Sequence, residues 1–191
     1  MKIIINESQL RLIVENEDED NLINFTYVYR TGFPAEEWDD MFKHLNNKKK
    51  GGKYDGYYID GDVDLQDSNI TELKYLVNVK GYLKLYDSQI KSLPMLSYVD
   101  GPLDLSKTPI KSLPMLKYVG SNLNLYYSQI ESLPKLEYVG SDLDLYKSKI
   151  KSLTKLEHVG GILDLVGTPL SKTITEEELR DEITVGGKIF I

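Results

Sequence analysis

A period of 20 residues constrains this chain more than any other feature of its sequence. Blocks that begin at residues 61, 81, 101, 121, 141 and 161 follow the pattern x-x-L-x-L-x-x-[ST]-x-I-x-S-L-P-x-L-x-x-V-G with few departures, the last of them only as far as residue 168. The blocks 121–140 and 141–160 are identical at 13 of 20 positions. A unit this short cannot bury its own leucines, so each block needs a copy of itself on either side. The blocks are therefore predicted to stack into a solenoid.

The spacing of apolar residues inside a block indicates how one turn is built. Positions are numbered 1 to 20 from the first residue of each block. Leucines at positions 3 and 5, such as Leu123 and Leu125, predict a short strand with side chains on alternate faces. The wider spacing from Ile130 to Val139 predicts a loose turn or a 3₁₀ segment, which Pro134 keeps from growing into a helix. We expect one parallel strand per 20-residue turn, about seven strands in all, with the leucines as core.

The pattern resembles the leucine-rich repeat family, whose consensus runs L-x-L-x-x-N-x-L-x-x-L-P, and the resemblance covers residues 61–168. It implies an α/β-type repeat solenoid. In the family the asparagine bonds neighbouring backbone groups along the stack, and a hydroxyl can reproduce part of this bonding. The short repeat is similar to those of secreted bacterial effectors, and the V-G-x-L-x-L junction is similar to receptor L domains. The residues at the asparagine place are Ser68, Ser88, Thr108, Ser128, Ser148 and Thr168.

The C-terminal segment, 169–191, is predicted to cap the solenoid with a helix and a strand. Thr175 and Glu178 match a capping box, and Ile174 with Leu179 matches a hydrophobic staple, so a short helix should begin near Glu176 and end near Ile183. Residues 185–191 align with 159–165 at an offset of 26. This alignment predicts a seventh strand that joins the sheet after the helix.

Residues 22–60 are predicted to form an N-terminal cap. Residues 22–30 favour a strand by their aromatic and β-branched content. A helix is expected after Pro34, with Trp38 in its apolar stripe and therefore in the core, and it should end at Gly51-Gly52. Residues 58–61 then match the repeat register of residues 98–101.

Residues 1–21 are predicted to form a separate segment. Ile3 to Ile5 favour a strand, Asn6 can cap a helix with a narrow apolar edge ending at Val14, and the acids from Glu15 to Asp20 indicate a solvated linker. The first fifteen residues resemble leaders of proteins encoded by tailed bacteriophages. That resemblance implies an N-terminal targeting segment on a virion or accessory structural protein, whereas an ordinary strand-helix appendage remains the alternative.

Composition excludes several classes of function. The net charge of −7 and the pI near 5.0 argue against binding nucleic acid or an anionic membrane, because both need a basic surface. The absence of cysteine excludes disulfides, thiolate zinc sites and cysteine nucleophiles. The first residues are too short an apolar run for a signal peptide, and no stretch reaches transmembrane length. We therefore expect a cytoplasmic protein, located in the host cytoplasm or the virion if phage-encoded, whose oligomeric state stays open.

The residues free to carry function are those that point outward from the predicted sheet, at positions 2, 4 and 6. Their rows are acidic, with a band of tyrosine, and tyrosine offers a large contact area at little cost in rotamer entropy. This combination predicts a non-enzymatic scaffold that binds a basic or amphipathic protein partner. A solvated face whose tyrosines serve β-propensity and cross-strand packing is the alternative. The predicted partner-binding residues are Asp64, Tyr82, Lys84, Tyr86, Asp104, Asn124, Tyr126, Asp144, Tyr146 and Asp164.

Two chemical alternatives stay open, and a second tyrosine row is given a structural role. Asp142, Asp144 and Asp164 on adjacent strands could share a calcium ion, and paired carboxylates beside tyrosines could bind or cleave a carbohydrate. No phosphate loop, catalytic triad or metal-spaced histidine pair is present, so we expect neither cofactor nor enzymatic activity. The row of Tyr58, Tyr98, Tyr118 and Tyr138 is expected to stack between turns, with His158 as a substituted member of that ladder.

Overall fold

The chain forms a parallel β-solenoid of about five turns in a computed structural model that describes residues 14–17, 23–25, 57–59 and 61–191. Equivalent residues of successive turns pair in parallel, 20 residues apart, as Leu123 does with Leu143 and Leu143 with Leu163. The predicted period and its register are therefore confirmed.

Two sheets run along the solenoid. Among the described residues the LxL sheet has seven strands, all paired in parallel, and contains block positions 3 and 4. Within the same residues the YV sheet has nine strands and contains block positions 18 and 19. The strands of the LxL sheet are Val63–Asp64, Leu83–Lys84, Leu103–Asp104, Leu123–Asn124, Leu143–Asp144, Leu163–Asp164 and Ile189–Phe190. Those of the YV sheet are Val14–Glu17, Ile23–Phe25, Tyr57–Ile59, Leu76–Val79, Tyr98–Val99, Tyr118–Val119, Tyr138–Val139, His158–Val159 and Thr184–Val185.

The expectation of one strand per turn is wrong, because each turn contributes a strand to both sheets. Tyr138–Val139 pairs with Tyr118–Val119 on one side and His158–Val159 on the other, where the sequence predicted only a returning turn. A third side carries isolated parallel bridges, Glu72 to Ser92 and Ser112 to Ser132. A two-residue strand is too short to show a period of two, so the apolar spacing did not reveal it.

The core lies inside the closed turns and is made of the repeated apolar residues. The side chains of Leu123, Leu125, Ile130, Leu136 and Val139 have no exposed surface, and their counterparts in the other turns are also buried. Burying each such side chain contributes roughly 1.5–3 kcal/mol relative to leaving it in water. The predicted assignment of the leucines to the core is confirmed.

A left-handed corner follows each strand of the LxL sheet, at position 7. The residue there has a positive φ in every turn from residue 61 to residue 167, although only the last of them is glycine, Gly167, at φ 76°. A side chain in this conformation is disfavoured, since the β-carbon approaches the following carbonyl oxygen. The other corner residues, with φ between 52° and 56°, are Asp67, Asp87, Lys107, Tyr127 and Lys147.

The hydroxyl residues at position 8 are buried from Ser88 onward, but where their hydroxyls donate hydrogen bonds they do so inside their own turn. Thr108 Oγ1 donates to the carbonyl of Leu105 at 2.6 Å, and Thr168 Oγ1 donates to the carbonyl of Leu165 at 2.8 Å. The leucine-rich repeat resemblance implied bonding along the stack. The two threonine hydroxyls instead reach only three residues back, where they close the corner of their own turn, and Ser128 Oγ and Ser148 Oγ accept from the N–H two residues later.

The predicted C-terminal helix and seventh strand are confirmed. The helix spans Glu176–Glu182, and Thr175 and Glu178 form the reciprocal capping box. Leu179 and Ile183 are buried, and Ile174 packs against the core. Ile189–Phe190 then pairs with Leu163–Asp164 in parallel. A short 3₁₀ segment, Leu170–Lys172, precedes the helix.

The N-terminal strands extend the YV sheet. Tyr57–Ile59 pairs in parallel with Leu76–Val79, which confirms its predicted place in the repeat register. Ile23–Phe25 pairs with Tyr57–Ile59, and Val14–Glu17 adds an antiparallel strand beyond it. The prediction that Val14 ends a helix and that residues 15–17 belong to a linker is therefore wrong, because backbone pairing does not require apolar side chains. Other N-terminal predictions lie outside the described residues. They are the strand at Ile3–Ile5, the rest of the helix predicted from Asn6, and the helix predicted after Pro34 with Trp38.

The corner at position 7 yields a test of stability. We expect Asp87→Gly to raise the free energy of unfolding by up to about 1 kcal/mol, because glycine adopts a positive φ without steric cost. Gln89→Gly is the control, since Gln89 is also exposed but does not have a positive φ. It should lower stability by roughly 0.5–1 kcal/mol through greater unfolded-state entropy. Urea denaturation measures both changes, and equal losses in the two variants would contradict the argument.

Candidate functional site

The candidate site is the outward face of the LxL sheet, where positions 2, 4 and 6 alternate with the buried leucines. Asp144 lies between Leu143 and Leu145, which have no exposed surface, and its own side chain is half-buried. Parallel pairing places Asn124 directly between Asp104 and Asp144. The rows predicted from the sequence therefore exist as continuous lines of side chains across neighbouring turns.

The acidic row at position 4 has a structural role that the sequence analysis missed. In each case Oδ1 accepts a hydrogen bond from the backbone N–H two residues later, as in Asp144 with Tyr146 at 2.9 Å and Asp164 with Val166 at 2.9 Å. Asn124 does the same with Tyr126 at 3.1 Å. This geometry ends the strand and leads into the left-handed corner. The recurrence of Asp or Asn at the end of the strand could have predicted this role, because these side chains favour such turns.

Asp144 is the position-4 carboxylate whose electrostatic environment is most clearly perturbed. Burial raises the pKa of Asp144, the hydrogen bond from the Tyr146 N–H opposes that rise, and repulsion from Asp164, Asp104 and Asp142 adds to it. The ionised form therefore costs more free energy here than on an open surface. A nearby positive charge from a binding partner would offset that cost.

A compact aromatic cluster occupies the same edge of the face at turns 121 and 141. The rings of Tyr126 and Tyr146 stack with centroids 5.4 Å apart and planes 11° from parallel. Tyr127, at the corner position, tilts against both, with its ring centroid 4.5 Å from that of Tyr126 and 5.8 Å from that of Tyr146. Tyr127 is 41% exposed. The predicted list omitted this residue, because its outward direction depends on the left-handed backbone of position 7.

Lysines at the corner position complete the aromatic edge, and they too were missing from the predicted list. Lys147 Nζ donates to the Tyr127 hydroxyl at 2.6 Å and lies 5.0 Å from the centre of that ring. Lys107 Nζ likewise donates to the Tyr86 hydroxyl at 2.8 Å. These distances place each ammonium group at the rim of a ring beside its hydroxyl. The hydrogen bonds raise the pKa of both lysines, so they remain charged at neutral pH.

The structure groups only part of the predicted tyrosine band. Tyr86 is separated from Tyr126 by one turn, whose residue at the same position is the buried Ser106. Tyr82 lies at position 2, where Lys84 approaches its ring to 4.4 Å. The cluster is therefore centred on Tyr126 and Tyr146, with Tyr82 and Tyr86 forming separate contacts toward the N-terminal turns.

A second aromatic ladder lies on the YV sheet and confirms the predicted stacking from Tyr98 to His158, whereas the side chain of Tyr58 lies outside what the structure describes. Tyr118 and Tyr138 stack at 5.0 Å with planes 8° apart, and His158 continues the stack at 4.7 Å from Tyr138. Tyr98 lies at the other end, tilted by 37° at 6.3 Å from Tyr118. The inner rings cover one another's faces, so this row serves packing between turns. His158 is a member of the ladder, as predicted.

The described part of the chain offers little for metal or small-molecule chemistry. No three histidine, cysteine, aspartate or glutamate side chains among the described residues are grouped to hold a metal ion, and Asp142, Asp144 and Asp164 do not form such a group. A cavity of about 120 Å³ lies beside the C-terminal helix, lined mainly by apolar side chains that include Leu153 and Leu170. It contains none of the predicted site residues. Within the same described ranges, no helix has the length and apolar character needed to cross a membrane.

Comparison of the chain with protein-family models, with curated proteins and with solved structures finds no match.

The raised pKa of Asp144 generates a pH-dependent prediction. The folded state binds the Asp144 proton more tightly than the unfolded state, so stability falls as pH rises through the raised pKa. Asp144→Asn removes this cost and keeps the acceptor for the Tyr146 N–H. We expect a melting temperature higher by roughly 1–2 °C at pH 7, from a few tenths of a kcal/mol, and no gain near pH 3.

Asp144→Ala is the control for the turn bond. It removes the charge and also the acceptor, so it should lower stability by about 1 kcal/mol at pH 7. Thermal melts at both pH values separate the two effects. A stabilising Asp144→Ala would show that the turn bond contributes less than the charge costs. A gain for Asp144→Asn that persists at low pH would contradict the electrostatic explanation.

Proposed function

We propose that the chain is a non-enzymatic scaffold that binds a protein partner on the outward face of the LxL sheet. The observation that supports this proposal most directly is the cluster of Tyr126, Tyr127 and Tyr146, which is left partly exposed to solvent. Tyrosines grouped in this way are enriched at protein interfaces, since each combines a large apolar ring with a polar tip.

The cluster is already ordered before any partner binds. Stacking between adjacent strands holds the rings of Tyr126 and Tyr146 nearly parallel, and Lys147 fixes the Tyr127 hydroxyl. Binding would therefore cost little of the roughly 0.5–1.5 kcal/mol that immobilising a free side chain requires. Pre-ordering of this kind favours a hot spot at the centre of an interface.

The charges beside the cluster define the chemistry of the partner. The turn hydrogen bonds of Asp144 and Asp164 use one carboxylate oxygen, Oδ1. A carboxylate has capacity for further hydrogen bonds from an ammonium or guanidinium group. A partner that presents lysine or arginine next to an apolar surface fits both features, so the proposal keeps a basic or amphipathic protein as partner.

A protein partner is favoured over a carbohydrate. Sugars stack on open ring faces, whereas Tyr126 and Tyr146 cover one face of each other. The carboxylates that a glycosidase would need are engaged in backbone turns along the strand ends. These contacts support a binding role for the face and give no support to hydrolysis.

We also propose that the solenoid is related to leucine-rich-repeat proteins and that the segments at its two ends act as caps. Support for the C-terminal cap is the burial of Leu179 and Ile183 against the last turn. A solenoid needs such covers because its terminal turns would otherwise expose the continuous core.

The tyrosine cluster gives a direct test of the proposed face. Tyr126→Ser, Tyr127→Ser and Tyr146→Ser, combined in one variant, should abolish capture of the partner in an unbiased pull-down from the source cell, with captured proteins identified by mass spectrometry. The matched control combines Tyr98→Ser, Tyr118→Ser and Tyr138→Ser on the YV sheet, which removes three tyrosines from the second ladder. It should retain capture. Loss in the control alone, or retention in both variants, would remove the LxL face from consideration.

A further inference from the structure

Charge is distributed unevenly around the cross-section of the solenoid. Positions 2 and 4 of the LxL sheet contain six aspartates, and Lys84 is the one basic residue among them in the six blocks. These acidic residues are Asp62, Asp64, Asp104, Asp142, Asp144 and Asp164. Together with the tyrosine cluster they form what is called here the acidic face.

The third side of the solenoid has the opposite charge. It comprises positions 9 to 15 and is called here the lysine side. One lysine on this side, Lys151, donates a hydrogen bond from Nζ to Glu131 Oε2 at 2.6 Å, and both side chains are partly exposed to solvent. The other lysines, all exposed, are Lys74, Lys91, Lys111, Lys135, Lys149, Lys155 and Lys172, and the acids of this side are Glu72 and Glu131.

The two surfaces share one spacing because the same turns carry both. Adjacent parallel strands are about 4.8 Å apart, so charges on the acidic face and on the lysine side repeat along the same axis with the same rise. Two solenoids laid side by side therefore share this rise, and the aspartates of turns 61, 101, 141 and 161 in one copy face lysines spread over positions 9 to 15 in the other. An unrelated basic protein would match this repeat only by coincidence.

We infer that the acidic face of one copy docks against the lysine side of a second copy. The inference rests on the proposed function, since it uses the same face and names a basic partner for it. The two contacting surfaces are different, so the contact is heterologous, and a pair of copies keeps one free acidic face and one free lysine side. Repetition of the contact produces a closed ring or an open row of solenoids, according to the rotation between neighbouring copies.

Apolar residues add to the electrostatic contact. The lysine side also presents Met115, which is 37% exposed, at a place where Lys135 Nζ lies 3.1 Å from the methionine sulfur. A flexible thioether packs well against aromatic rings, so Met115 suits the tyrosine cluster of a neighbour. The charges confer specificity, and the tyrosine and methionine side chains supply buried apolar surface.

The size of the contact sets its strength. About five turns at about 4.8 Å and a width of four residues at about 3.3 Å give roughly 300 Å² per partner. That is less than half of the ~800 Å² per partner in a standard stable interface, so the association is weak. The net charge of −7 also opposes it at long range. Association should therefore require high protein concentration and decrease as salt screens the charge pairs.

Sedimentation velocity of the full chain tests the inference. At about 0.5 mM protein and ~50 mM salt we expect concentration-dependent species larger than a monomer, and at ~1 M salt a monomer, because the Debye length then falls to about 3 Å. A monomer under both conditions would overturn the inference. Retention of that monomer on a heparin column would assign the lysine side to a polyanion instead.

Two variants isolate the two surfaces. Variant D combines Asp104→Asn, Asp144→Asn and Asp164→Asn, and asparagine keeps each turn bond, as Asn124 already does. Variant K combines Lys135→Gln, Lys149→Gln and Lys155→Gln on the lysine side. Each variant alone should be monomeric. An equimolar mixture should form a 1:1 dimer and no longer species, since only the acidic face of variant K and the lysine side of variant D remain intact.

The outcomes separate this inference from the proposed function. Self-association unchanged in variant D or variant K, or a mixture that does not form the dimer, would overturn the docking of these two surfaces. The pull-down with the tyrosine-cluster variant would still be judged against its own control variant on the YV sheet. If the tyrosine variant loses capture of a partner and the full chain does not self-associate, the acidic face binds a basic protein other than a second copy of the chain.

Discussion

Parallel backbone hydrogen bonds between turns 20 residues apart determine nearly everything else in this structure. Leu125 donates to Asp144 and Leu145 donates to Asp164, at 2.8 and 2.9 Å, and the same pattern recurs along the LxL sheet. Since each residue is aligned with its counterparts, every block position becomes a row on the surface or in the core. A leucine row becomes the core, a tyrosine row becomes a ladder, and a row of acids becomes a charged face.

The sequence was sufficient to predict features that depend on apolar identity. The period, the buried leucines, the helix capped by Thr175 and the strand at Ile189–Phe190 all follow from which residues avoid water and from local capping chemistry. The strand at Tyr138–Val139 was missed because two residues carry no visible alternation. The positive φ of Tyr127 was missed because the residue types at that corner, aspartate, lysine and tyrosine, do not mark a left-handed backbone as glycine does.

The sequence predicted which block positions face outward at the candidate site, but it did not predict which side chains contact one another there. Tyr126, Tyr146 and Asp144 lie where the alternation placed them, but Tyr127 and Lys147 join them only through the corner geometry. Asp144 was assigned to binding although its first role is to end a strand. The net charge of −7 concealed the opposite signs of the two sides, since a sum over the chain discards the place of each charge. Position within the block, and not composition, carries the functional information.

The turn-to-turn contacts of this solenoid also bear on how such a chain changes in length. A turn contacts its neighbours and little else, as in the pairing of Leu123 with Leu103 and Leu143. Duplicating or deleting one 20-residue block therefore adds or removes one strand from each sheet and preserves the alignment of all the others. An insertion of any other length shifts a whole turn out of line with its neighbours. Unequal recombination within the repeated segment thus provides a direct genetic route to longer or shorter versions of both charged surfaces.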